Sequence, residues 1–138
     1  MTNTSLAQAY LAKARARVRV LDVLLEAKAW SDVLRKAQEL VELALKGMLR
    51  QAGIEPPKWH DVGSLLLENT DRFPAGVRVD LDRLAAVSGW LRKERELAFY
   101  GDIDFIPTER YGEDDARRAS EDARFVVQVA SAVIPPAD

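Results

Sequence analysis

Residues 31–57 read SDVLRKAQELVELALKGMLRQAGIEPP, and this stretch decides the fold class. Val33, Leu34, Ala37, Leu40, Val41, Ala44, Leu45, Met48 and Leu49 recur at three- and four-residue steps. That spacing gathers side chains onto one face of an α-helix. The face is broad, so more than one neighbour is expected to pack on it. Ser31 is the expected N-cap, because its hydroxyl can accept from the unpaired N–H groups of a first turn. The stop is firmer. Lys46 and Arg50 sit in the last turns, Gly53 can take the left-handed conformation just past the helix, and Pro56-Pro57 cannot continue it.

The same period extends in both directions. Upstream, Leu11, Ala14, Val18, Leu21 and Leu25 lay one apolar stripe along a first helix. Downstream, Asp61 to Asn69 fits a short third helix, capped by Asp61, with Val62, Leu65 and Leu66 facing inward. Phe73-Pro74-Ala75-Gly76 breaks the chain, and a long fourth helix fits Leu81 to Tyr100, with Asp80 as its cap and Gly101 as its stop. Residues 102–112 read as a loop that carries the apolar Ile103, Phe105 and Ile106. A last helix opens on Glu113, Asp114 and Asp115, which suit the positive end of a helix dipole. It carries Ala116, Ala119, Ala123, Val126, Val127, Ala130 and Val133 before Pro135-Pro136. Alternating strand patterns are absent. Short connections between long amphipathic helices predict an all-α, up-and-down bundle of about five helices.

Composition sets bounds on function. The 138 residues fit a single domain, 1–138, with 48% hydrophobic and 30% charged residues. No cysteine is present, which removes disulfides and thiolate metal sites, and a single histidine, His60, argues against a histidine-rich metal centre. No metal or other cofactor is expected. The N-terminus lacks the apolar core of a signal peptide, and no run of about 18 uncharged apolar residues exists, so a cytoplasmic protein without a membrane span is expected. The net charge of −2 is unevenly spread: +4 over residues 1–50, −1 over 51–100 and −5 over 101–138. Lys13, Arg15, Arg17 and Arg19 form a basic start that could draw an acidic partner or simply be a solvated face.

One place breaks the pattern. On the fourth helix the stripe Leu84, Val87, Leu91 should continue at 94/95 and 98, yet 94 is Glu and 95 is Arg. A buried charge without a partner costs several kcal/mol, so Glu94 and Arg95 must be paired, solvated in a cleft or set at a subunit interface. The following Leu97-Ala98-Phe99-Tyr100 is too apolar for a fraying tip, which favours a packed helix end holding a polar site.

AQELVELALKGMLRQAGIEPPKWHDVGSLL (37–66), LRKERELAFYGD (91–102), Tyr111 and the alanine-spaced last helix together resemble HEPN domains, in order and spacing, over about residues 5 to 133. The resemblance implies a helical bundle that forms a homodimer. In one branch it also implies pairing with a small MNT-type nucleotidyltransferase as a toxin–antitoxin module. Nuclease members carry an arginine, four to six residues, then a histidine, and two copies meet to cut RNA without metal. Arg95 matches the arginine, whereas the histidine positions are Tyr100, Gly101 and Asp102. His60 matches the loop after the second helix. The imidazole matters because its pKa of about 6.5 suits proton transfer near neutrality, while a phenol at about 10 is a poor base.

The resemblance therefore implies a degenerate ribonuclease motif, with Arg95 and Tyr100 as the catalytic candidates and Glu94, Arg95, Phe99, Tyr100, Asp102 and Tyr111 lining a ligand or interface cleft. Members of the paired branch are modified on a tyrosine in the pattern Arg-x4-His-x-Tyr; here that position is Asp102, leaving Tyr100 and Tyr111 as nearby hydroxyls. Two other readings compete. One is a divergent metal-independent RNase, with Arg95 on the phosphate and Tyr100 as acid. The other is a nucleotide-binding dimer using Arg95 and Lys93, a reading weakened by the lack of a glycine-rich phosphate loop.

Overall fold

The computed structural model describes residues 2–137 except 57, 59, 60 and 100–109, and of residues 96–99 it describes the helical backbone. Among the described residues six α-helices and one 3₁₀ turn follow in order: α1 (Asn3–Glu26), α2 (Trp30–Gln51), α3 (Val62–Glu68), the 3₁₀ turn (Thr70–Arg72), α4 (Ala75–Arg78), α5 (Leu81–Phe99) and α6 (Glu113–Val133). No strand occurs among the described residues. The expected all-α bundle is what the chain forms.

The breadth of the α2 stripe explains the architecture. α2 packs against α1, α5 and α6 and touches α3, so it forms the bundle's centre. Val33, Leu34, Ala37, Leu40, Ala44, Leu45, Met48 and Leu49 are each fully buried. α1 folds back on α2 as a hairpin, and its Ala7, Leu11, Ala14 and Leu21 are buried against it. The helices cross closely at Gly47, where an added Cβ would lie 3.0 Å from Ile134 Cδ1 and 3.3 Å from the Ala7 carbonyl oxygen.

The ends of the helices are explained by local chemistry. α1 starts in a capping box, Thr2 Oγ1 accepting from the Ser5 N–H at 3.0 Å while Ser5 Oγ accepts from the Thr2 N–H at 2.8 Å. α2 ends as expected: Gly53, at φ +81°, donates to the Arg50 carbonyl at 3.0 Å and Ile54 to that of Leu49 at 2.9 Å. The α1–α2 turn repeats this arrangement with Lys28 at φ +58°, Lys28 donating to Leu25 and Ala29 to Leu24. Asp61 caps α3 by accepting from the Gly63 N–H at 3.0 Å.

Two local expectations are corrected. Ser31 is not the N-cap of α2; the helix begins at Trp30 after Ala29, and Ser31 lies within its first turn, buried. Trp30 packs on the core, and the helix starts two residues earlier than the cap signal implied. The break at Phe73–Gly76 is not irregular throughout, since Pro74 precedes the one-turn α4. The loop expectation for 102–112, including Ile103, Phe105 and Ile106, lies largely outside the described residues, as do Trp59 and His60.

Candidate functional site: an arginine cleft between α2 and α5

Two helices build the site. On α5 the buried stripe continues through Leu81, Leu84, Val87, Ser88 and Leu91, and then divides at the charged turn. Glu94 follows the stripe inward and is half-buried, whereas Arg95 is exposed. The expectation that both charges lie on the core stripe is thus corrected for Arg95, because α5 is outrunning the core there and its flank faces solvent. Glu94 is partnered. The Tyr111 hydroxyl donates to Glu94 Oε2 at 2.5 Å and lies 3.3 Å from the Glu94 carbonyl oxygen, with the ring almost wholly buried. Burial, reinforced by the Glu94 carboxylate, holds the phenol well above its ordinary pKa, so Tyr111 keeps its proton and cannot serve as a base.

Arg95 opens onto a polar cleft of about 290 Å³ lined by Gln38 and Glu42 of α2 and by Arg92 and Arg95 of α5. Arg92 is held in place, its Nη1 lying 3.2 Å from Asp61 Oδ1, so the residue that caps α3 also anchors one cleft arginine. On the opposite wall Gln38 Nε2 donates to Glu42 Oε2 at 3.0 Å, and Lys46 Nζ lies 3.6 Å from Glu42 Oε1. Among the described residues Arg95 makes no ion pair. Its planar fork of donors is the group in the cleft best placed for an incoming anion, with Arg92 adding positive charge one turn away.

Of the residues singled out in the sequence, the structure brings Arg95 into the cleft and sets Glu94 and Tyr111 behind it as a buried brace rather than on its lining. The side chain of Phe99, and Tyr100 and Asp102 entirely, lie outside the described residues. The sequence reading missed Gln38 and Arg92 as lining residues. Gln38 did carry a signal, being a polar residue on the apolar stripe of α2 and almost wholly buried. Among the described residues no group of three or more His, Cys, Asp or Glu could hold a metal, and no helix is long and apolar enough to cross a membrane.

No curated protein and no solved structure gives a significant match to the chain. The family model of the HEPN domain matches residues 7–133, which takes in all but the first four residues of α1 and both walls of the cleft. The chain belongs to the HEPN domain family.

Proposed function

We propose that this chain is a ribonuclease-impaired HEPN subunit that acts as a homodimer and binds a small nucleotidyltransferase of the MNT type, in the manner of a toxin–antitoxin module. The observation that carries the reading is the state of the cleft. Arg95 stands exposed and without an ion pair among the described residues, beside Arg92, while the sequence offers Tyr100, Gly101 and Asp102 where an imidazole would be needed. The anion-binding half of a cleavage site is supported and the proton-transfer half is not, since arginine cannot exchange protons near neutral pH. The test is co-expression with a nucleotidyltransferase encoded beside the gene, followed by size-exclusion chromatography. A complex containing two copies of this chain is expected, and a wild-type chain that elutes alone as a monomer overturns the reading.

A second reading, a divergent metal-independent RNase, draws on the Arg92–Arg95 pair, which would hold a scissile phosphate. Incubation with RNA separates the two. Cleavage by the wild type that Arg95→Ala abolishes would establish the enzyme; intact RNA favours the binding subunit. A nucleotide-binding dimer is tested by thermal shift with ATP, where saturation at 100 times the dissociation constant would add about 2.7 kcal/mol.

A further inference from the structure

The bundle is not equally closed on all sides. α6 rests on α2 and α1 but meets α5 and α4 at few positions, which leaves a seam along its flank. Long side chains bridge that seam in place of apolar packing. Arg83 of α5 reaches across to stack on Phe125 of α6, 3.6 Å from the ring centroid, and Arg118 of α6 reaches back to Trp90 of α5 at 3.8 Å. Both guanidiniums lie 3.7 Å from an oxygen of Asp122, close enough for attraction but too far for a hydrogen bond. Neither donates a hydrogen bond to another described residue. Stacking fixes each planar fork while leaving its edge free, and the two side chains are 55% and 61% exposed.

A cleft of about 240 Å³ lies between these arginines, and beyond Phe125 the seam widens into an apolar groove of about 420 Å³ walled by Val77, Val129 and Ala132. From Arg118 to Ala132 the run spans about 21 Å at the helical rise of 1.5 Å per residue. Asp80, one helical turn from Arg83, also lines the groove. The seam is thus basic around Arg83 and Arg118, where Asp122 offsets one of the two charges, and mainly aliphatic beyond Phe125.

We propose that this seam docks a segment of a partner protein that carries carboxylates at one end, over Arg83 and Arg118, and aliphatic side chains along the rest. The carboxylates take the unspent guanidinium donors, and the aliphatic anchors fill the groove between α4 and α6. The offset of the two arginines from the aliphatic groove fixes the direction of docking. Tryptophan and arginine together are the residues that most often concentrate binding energy at protein interfaces. A long polyanion such as RNA is a poorer occupant than a segment with one short acidic cluster, because Asp122 and Asp80 also line the seam and would repel a continuous run of charge. The inference rests on the reading that this chain works through a protein partner, and it assigns the surface that partner would use.

The test uses the full chain and two fluorescently labelled synthetic 14-residue peptides with leucines at helical spacing. One has glutamates in its first turn and the other has lysines there. Fluorescence anisotropy should show saturable binding of the glutamate peptide and at least tenfold weaker binding of its lysine twin. The double substitution Arg83→Glu with Arg118→Glu, with folding checked by circular dichroism, should reverse the preference. Absence of saturable binding, or indifference to peptide charge or to the double substitution, overturns the proposal. So does finding that the double substitution instead breaks up a self-associated form, which would make a second copy the occupant. In co-expression, a double variant that co-purifies with the nucleotidyltransferase as well as wild type sinks this surface and leaves the functional reading intact. A wild type that fails to co-purify sinks that reading while the peptides still judge the seam.

Discussion

Replacing Tyr111 by phenylalanine would remove one oxygen from a buried contact and leave the half-buried Glu94 carboxylate without its donor at 2.5 Å. Stripping one partner from a buried polar pair costs about 1–3 kcal/mol, so chemical denaturation of Tyr111→Phe should show a loss of that size. A loss near zero would mean that water replaces the hydroxyl and that the brace behind Arg95 is dispensable. Glu39 makes a second residue-scale case. Burial alone would raise its pKa, but hydrogen bonds from Arg17 at 2.5 Å and Lys36 at 3.0 Å, together with their charge, lower it below the ordinary 4.5. The unfolded chain therefore binds a proton more readily than the folded one, and the stabilisation is present above about pH 4.5 and fades as pH falls through the lower folded value. Acid titration of unfolding should be shallower in Glu39→Gln than in wild type below pH 4.5. Neither pairing was legible in the sequence. The charge of Glu94 on an apolar stripe announced that a partner must exist, but Tyr111 lies 17 positions away, and Arg17 lies 22 positions from Glu39 on another helix.

Elements make different demands on glycine, and the contrast can be measured. A Cβ at Gly63 of α3 would sit 2.9 Å from the Ala85 Cα of α5, a contact with backbone that cannot swing away. Gly89 of α5 has nothing within 4 Å of that position. Gly63→Ala should destabilise by about 1–3 kcal/mol through forced separation of α3 and α5. Gly89→Ala should stabilise by about 0.5–1 kcal/mol, since alanine only removes backbone freedom from the unfolded chain. Equal effects at the two sites, read from urea midpoints, would refute the close approach. Lys28 is the reverse case: it holds a left-handed φ of +58° in the α1–α2 turn, where the corresponding position after α2 is Gly53. Lys28→Gly should gain up to about 1 kcal/mol. At this scale the sequence spoke clearly wherever a stop was written in glycine and proline, as at Gly53 and Pro56. It was silent at Lys28, whose side chain gives no hint of a turn, and misleading at Ser31, where core packing of Trp30 outweighs a capping preference.

The whole molecule is organised around α2, and this has a consequence for how it opens. α2 touches α1, α3, α5 and α6, and most of its inward side chains are fully buried. By contrast α3 leans mainly on α5, and α4 rests on a few positions of α6. The sequence showed that α2 had the broad stripe, but not which helices would share it. Nor could it show that Gln38 and Glu42 would face Arg92 and Arg95 across a cleft, because periodicity fixes the face of each helix and not the identity of its neighbour. Breaking the hydrogen bonds in the middle of α2 exposes the faces of the helices packed on it, so those amides should exchange only by global unfolding. The amides of α3 and α4 can open while disturbing far less of the bundle. Native-state hydrogen exchange should therefore find the slowest amides between Leu40 and Leu49, with protection equal to the unfolding free energy, and faster, denaturant-insensitive exchange between Val62 and Arg78. A cavity should follow the same division: Leu45→Ala in α2 is expected to cost about 2–5 kcal/mol and lower protection throughout the bundle. If α3 and α4 exchange as slowly as α2, the periphery is welded to the core, and the lightly packed seam between α4, α5 and α6 is closed more tightly than its side chains imply.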